Sequence, residues 1–78
     1  MLHSDLADKL RERLAILLDV DSAAITDGTG FADLGVDSMM RLELVAIVEQ
    51  HVGYEIPEQE LPNLGTIEAV LGYVAREQ

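Results

Sequence analysis

Cysteine is absent from this chain of 78 residues. Its absence excludes a disulfide framework, a thiolate metal site and a cysteine nucleophile, and a small fold without such cross-links suits a reducing cytoplasm. Aromatic residues are also scarce, at 4% of the chain, whereas hydrophobic residues reach 49% and are mostly aliphatic. This composition favours an aliphatic helical core over an aromatic-rich β-sandwich. The length predicts one small domain over residues 1–78.

Basic residues are few, with 5 Lys and Arg against 15 Asp and Glu, so the net charge is −10. Such a surface repels nucleic acid and anionic lipid, and it complements a partner with a basic docking surface. The N-terminus has no basic and apolar signal segment, and no apolar run approaches the length of a membrane span. We therefore expect a cytoplasmic monomer that binds neither nucleic acid nor membrane.

Leucines recur at helical spacing at the beginning of the chain and predict a first helix, from about Ser4 and Asp5 to the region of Asp19 to Asp21. The leucines concerned are Leu6, Leu10, Leu14, Leu17 and Leu18. Residues 20–37 are rich in glycine and turn residues, which predicts one long loop. Because loops of this length are uncommon in compact domains, we expect its isolated apolar residues to anchor it to the core. These anchors are Ile25, Phe31 and Leu34.

The rest of the sequence predicts three more helices. The second begins at Ser38 and stops at Gly53, a short third lies between Pro57 and Pro62, and Thr66 caps the last. The expected apolar stripes are Leu42, Val45, Ile47 or Val48 and Val52 in the second helix, and Ile67, Val70, Leu71 and Val74 in the last. The predicted fold is all-α, a small four-helix bundle with a long loop between its first two helices and a short third helix.

Ser38 stands in the stretch LGVDSMM, where the glycine-rich loop meets the second helix. A serine nucleophile needs a base within hydrogen-bond reach, but His51 lies 13 residues further along the same predicted helix, about 20 Å away. His3 lies at the terminus, and no G-x-S-x-G elbow surrounds Ser38. A twelve-residue calcium loop that begins at Asp19 also fails at its ligand positions. The sequence therefore predicts neither an enzyme nor a metal site.

A serine at a helix start is ordinarily a cap, but this position also has a chemical use. The first turn of a helix has free backbone N–H groups and carries the positive end of the helix dipole. A phosphodiester attached to Ser38 would be stabilised there as an anion. Position and chemistry therefore allow a covalent phosphate-linked group on this serine.

The segment FADLGVDSMMRLELVAIVEQHVGYEIP resembles the acyl carrier protein family. It matches that family's F-x-x-L-G-x-D-S-[LM] motif, followed by E-L, E and I-P, and Thr66 and Tyr73 fit further along. The resemblance covers essentially the whole chain and implies a small four-helix carrier rather than an enzyme. It implies that Ser38, beside the motif residue Asp37, receives 4′-phosphopantetheine from coenzyme A through a phosphopantetheinyl transferase. The thiol of that arm then carries thioesters, which needs no cysteine in the chain.

The resemblance also implies two surfaces. Acyl-loading, condensing or tailoring enzymes with basic surfaces would contact Met39, Met40, Arg41, Glu43 and Glu49. An acyl-chain cleft would draw on residues that composition alone favours as plain core, namely Phe31, Leu34, Val45, Ile56, Leu64, Ile67 and Leu71.

Met40 and Arg41 lie outside the expected apolar stripe and are predicted to be exposed. They depart from the strongly acidic second helix of fatty-acid-synthesis carriers, which favours a carrier for polyketide or other specialised biosynthesis. Fatty acid synthesis, an aminoacyl carrier of D-alanine type, a peptidyl carrier and an unmodified interaction module stay open as alternatives. The usual G-G-x-S signature of peptidyl carriers is replaced here by Val36 and Asp37 before the serine. The start at Met1 favours a free-standing chain.

Overall fold

The computed structural model describes residues 4–77 of the chain, and all of the regular structure in that range is helical. Four α-helices span Ser4–Leu18 (α1), Phe31–Leu34 (α2), Ser38–Val52 (α3) and Ile67–Arg76 (α4). Two 3₁₀ segments, Ser22–Ala24 and Glu58–Asn63, complete the order along the chain. The prediction of a small all-α bundle is confirmed. No helix in the described range is both long and apolar enough to cross a bilayer.

Helix α1 contributes one face to the core, as its leucine spacing predicts. Leu6, Leu10 and Leu14 are fully buried, and Leu18 packs against the edge of the core. The helix ends where Asp19 adopts a positive φ of 56°, a conformation that Asp tolerates better than most residues. The predicted end of the first helix is therefore confirmed.

The segment between α1 and α3 is an ordered loop that contains short helical turns. Ile25 and Phe31 are buried in the core, and Leu34 packs against it, so the predicted anchors are confirmed. The Phe31 N–H donates to the Gly65 carbonyl at 2.8 Å, and the Glu68 N–H donates to the Asp27 carbonyl at 2.9 Å. These two bonds fasten the loop to the start of α4. The sequence did not predict α2 or the 3₁₀ turn, because each is only three or four residues long.

Helix α3 begins and ends as predicted, and its predicted core face is confirmed at Val48 and, half-buried, at Val45 and Val52, but it is wrong at Leu42. Gly53 ends the helix with a φ of 84°, and its N–H donates to the Glu49 carbonyl at 2.8 Å. Leu44 and Val48 are the buried residues of α3, whereas Leu42 is 61% exposed. Apolar residues occur on nearly every side of this helix, so their spacing alone does not determine which side faces the core.

The chain after α3 returns to the core through a short turn and a final amphipathic helix. Pro57 precedes the 3₁₀ segment Glu58–Asn63, which confirms a short third helix, and Pro62 lies inside it. The Thr66 hydroxyl accepts a hydrogen bond from the Ala69 N–H at 2.9 Å, which confirms the predicted cap of α4. Its buried residues are Ile67, Val70, Tyr73 and Val74, with Leu71 packed at the edge. Tyr73 is the member that the predicted stripe omitted.

Candidate functional site

Ser38 is the first residue of α3 and is exposed to solvent. No side-chain hydrogen bond within the described residues uses its hydroxyl. The preceding Gly35 has a φ of 88° and ends α2, so the chain turns sharply between the two helices. The turn presents Ser38 at the surface, where a second molecule can reach its Oγ.

Asp37 is the N-cap of α3. Its Oδ1 accepts a hydrogen bond from the Met40 N–H at 2.8 Å, and its carbonyl accepts from the Arg41 N–H at 2.9 Å. The cap therefore satisfies one of the N–H groups that have no partner within the helix, and others of the first turn are left for an anion. Within α3 itself the first turn contains no acidic residue, so Asp37 at the N-cap is the acidic group nearest to an anion bound there.

A surface pocket surrounds Ser38 and draws on two separate parts of the chain. Val36 and Asp37 border it on the side of the loop, Arg41 and Leu42 on α3, and Leu61 on the 3₁₀ segment. Leu42 was expected in the core and Leu61 was not expected at the site at all. The i,i+4 spacing of Leu42 from Ser38 could have indicated a shared helix face. No local signal could have indicated Leu61, because tertiary packing brings it there.

Within residues 4–77, no histidine lies close enough to Ser38 to serve as the base that a serine nucleophile needs. Ser38 and His51 lie near opposite ends of the 15-residue helix α3, about 20 Å apart along its axis. His3, the other histidine, lies outside the described residues. The described part of the chain contains no group of three His, Cys, Asp or Glu side chains that could hold a metal ion.

The residues predicted to contact partners occupy different environments. Met39 is 80% exposed, whereas Met40 and Arg41 are only half-buried, so the prediction that both of these are exposed is wrong. The reason is the rotation of α3, which turns Leu42 outward and brings Arg41 toward the core. Glu43 pairs with the Arg13 guanidinium at 2.6 Å, and Glu49 accepts a hydrogen bond from the Ile56 N–H at 2.8 Å.

An internal apolar cavity of about 20 Å³ lies among α1, α3, the 3₁₀ segment Glu58–Asn63 and α4. Its lining includes four of the predicted cleft residues, Phe31, Val45, Ile56 and Leu64. The other lining residues are Leu10, Arg41, Leu44, Val48, Leu61 and Val70. The remaining predicted cleft residues, Leu34, Ile67 and Leu71, pack in or against the core without lining this cavity. The cavity as it stands has room for about one water molecule.

Comparison with known proteins identifies the family. The family model described as "Phosphopantetheine attachment site" matches residues 8–74. The chain belongs to the acyl carrier protein family. It is 33% identical over 75 residues to a protein of Thermosynechococcus vestitus named acyl carrier protein, and the match covers 95% of this chain and 93% of that relative.

Membership of the acyl carrier protein family determines the cofactor and the role of the chain. The covalent group is 4′-phosphopantetheine, and the chain is a carrier rather than a catalyst. A phosphopantetheinyl transferase modifies such carriers, and biosynthetic enzymes bind them. The group supplies a thiol at the end of a long arm. Ser38 fits its attachment, because the hydroxyl is exposed, unbonded within the described residues and placed at the positive end of α3.

Proposed function

We propose that Ser38 carries 4′-phosphopantetheine and that the chain, as one carrier domain over residues 1–78, holds acyl intermediates as thioesters in polyketide or other specialised biosynthesis. The observation that supports the attachment site is the exposed Ser38 hydroxyl at the first residue of α3, beside a surface pocket. In the modification, Ser38 Oγ attacks the phosphorus that bears the pantetheine part of coenzyme A and displaces adenosine 3′,5′-bisphosphate. A new O–P bond forms, the pyrophosphate O–P bond breaks, and the hydroxyl proton is lost to the transferase.

The support for a specialised pathway comes from the surface next to Ser38. The exposed Met39 and Leu42 and the cation Arg41 lie beside the site, and the first turn of α3 beyond the capping Asp37 has no acidic residue. An apolar surface beside a cation fits a partner with an apolar contact, and it opposes a strongly basic patch. We propose a cytoplasmic location, a monomer and dedicated loading and condensing partners. Acidic residues farther along α3, Glu43 and Glu49, would meet basic groups of these partners.

Intact-mass analysis tests the attachment site. The protein is incubated with coenzyme A and a promiscuous phosphopantetheinyl transferase, beside Ser38→Ala and the matched control Ser22→Ala. We expect the wild type and Ser22→Ala to gain one phosphopantetheine, and Ser38→Ala to gain none while retaining its helical circular dichroism. A mass gain in Ser38→Ala would refute the assignment, and no gain in the wild type would favour an unmodified interaction module.

A charge substitution tests the pathway. Met40→Asp places an acid in the first turn of α3, and Gln50→Glu adds the same charge near the other end of the helix. The loaded proteins are compared by kcat/KM with a ketosynthase from fatty acid synthesis. We expect poor turnover of the wild type and of Gln50→Glu, and a gain in Met40→Asp. Efficient and equal turnover of all three would support a fatty-acid-synthesis carrier instead.

Loading of cargo separates the remaining alternatives. Acyl groups are offered as their coenzyme A thioesters, and amino acids are offered with their adenylating enzymes. We expect transfer of acyl groups by acyl-loading enzymes. Efficient loading by a D-alanine or amino-acid adenylating enzyme, with none by acyl-loading enzymes, would instead assign an aminoacyl or peptidyl carrier.

A further inference from the structure

Arg41 is a half-buried cation between the surface pocket at Ser38 and the internal cavity. It lies one helical turn after Ser38 on α3, and it lines both spaces. Among the residues that line the internal cavity, Arg41 alone is charged. A charge at the edge of an apolar cavity needs polar partners to offset its lost hydration.

The polar partners of Arg41 are few. Its Nη1 donates to the Leu61 carbonyl at 3.5 Å, which is long for a hydrogen bond. Within the described residues, the guanidinium forms no ion pair, whereas Arg11 and Arg13 both do. A guanidinium has five N–H donors, so most of the donors of Arg41 are free for an oxygen ligand.

Arg41 and Leu61 are the two residues shared by the surface pocket and the internal cavity. The route from Ser38 to the cavity therefore passes between these two side chains. The cavity holds about 20 Å³, so a hydrocarbon chain would have to enlarge it and move a cation aside. A carboxylate at the same place would instead gain charge-assisted hydrogen bonds from the guanidinium.

We propose that Arg41 is a specificity-determining residue that holds the carboxylate of a dicarboxylic acyl cargo at the mouth of the cavity. This inference rests on the proposed function, since the cargo must be carried on Ser38. When Arg41 turns to the carboxylate, its contact with the Leu61 carbonyl is lost. That carbonyl also accepts from the Leu64 N–H at 3.0 Å, so the Leu64 amide reports the movement.

The experiment compares two cargoes of similar size, malonyl with a terminal carboxylate and butyryl with a terminal methyl. Each is loaded from its coenzyme A thioester, and the Arg41 Nε–Hε and Leu64 amide signals are followed by ¹H–¹⁵N NMR against the protein with the bare arm. We expect malonyl to shift both signals and butyryl to leave them in place. In Arg41→Met, the chemical shifts of the Leu64 amide should be the same with either cargo. Arg76→Met, a control on α4, should retain the difference in these shifts between malonyl and butyryl.

The outcomes separate this inference from the proposed function. Failure to gain mass on loading would refute the carrier role of Ser38. Successful loading with equal signals for malonyl and butyryl would overturn the role of Arg41 alone. If attachment of the bare arm already moves both signals to their positions in the malonyl form, Arg41 binds the phosphodiester of the arm. This result would overturn cargo recognition. Circular dichroism of each variant verifies the fold, and Arg41→Lys, which retains the charge, should recover part of the malonyl shift.

Discussion

The Arg11 guanidinium donates a hydrogen bond from Nε to the backbone carbonyl of Ile25 at 3.1 Å, although 14 residues separate the two. The same guanidinium pairs with the Asp27 carboxylate, and its Nη1 lies 3.1 Å from Asp8 Oδ1. One side chain of α1 therefore fastens the middle of the loop that leads to Ser38. Arg13, two residues further along α1, forms one ion pair with Glu43 instead.

Arg11→Met is expected to lower the free energy of unfolding by about 1–3 kcal/mol, because it leaves a loop carbonyl and a carboxylate without their cationic donor. Arg13→Met removes an exposed ion pair and should cost no more than about 1 kcal/mol. Urea denaturation followed by circular dichroism measures the free energy of unfolding of both variants. Equal losses in the two variants would show that the contacts of Arg11 with the loop do not contribute.

Leu42 and Leu44 test the orientation of α3. Leu44 is 3% exposed, and Leu44→Ala is expected to cost about 2–5 kcal/mol through lost packing and a new cavity. Leu42 is 61% exposed, and Leu42→Ala should change stability by about 0.5 kcal/mol or less. Thermal and urea unfolding give both values. A larger loss of stability in Leu42→Ala than in Leu44→Ala would show that Leu42 faces the core, as the sequence predicted.

Substitutions of Asp37 test whether its side chain caps α3 at the candidate site. Asp37→Ala is expected to destabilise the protein by about 1 kcal/mol, since the Met40 N–H loses its acceptor. Asp37→Asn retains an oxygen at this position and should preserve most of the stability. Glu12→Ala, an exposed change within α1, is the control for removing a negative charge. Denaturation midpoints that are the same for Asp37→Ala and Glu12→Ala would contradict the cap.

Because of Tyr73, we expect the stability of the protein to fall with rising pH in the alkaline range. Burial raises the pKa of its phenol above the ordinary value of 10.0, and the nearby Glu77 and Glu60 raise this pKa further. The folded state therefore holds the proton more tightly than the unfolded state. The contribution of the Tyr73 phenol to the free energy of unfolding is therefore fully present below about pH 10. It is lost as the pH rises through the raised pKa. Tyr73→Phe should lose stability less steeply than the wild type in urea denaturation from pH 9 upward; equal slopes would refute the prediction.

Local sequence signals determined where the long helices α1, α3 and α4 begin and where α1 and α3 end. Ser38 and Thr66 predict starts because a short oxygen-bearing side chain can cap free N–H groups, although Asp37 is the residue that caps α3. Gly53 predicts an end because it accepts a positive φ. Each of these boundaries depends on residues within about one helical turn, so the sequence alone carries the information. The attachment position was predicted differently, from the resemblance of the motif around Ser38 to the acyl carrier protein family.

Tertiary packing decided what local signals left open. Apolar residues lie on nearly every side of α3, so only tertiary packing, including that against α1, settles that Leu44 is buried and Leu42 is exposed. The same packing brings Leu61 to the pocket at Ser38, and it places Arg41 between that pocket and the cavity. Twenty residues separate Arg41 from Leu61 along the chain, and no pattern of spacing relates them. The sequence by itself determined where the long helices begin and that Ser38 stands at one of these starts, whereas the burial of side chains from several elements determined what surrounds that serine.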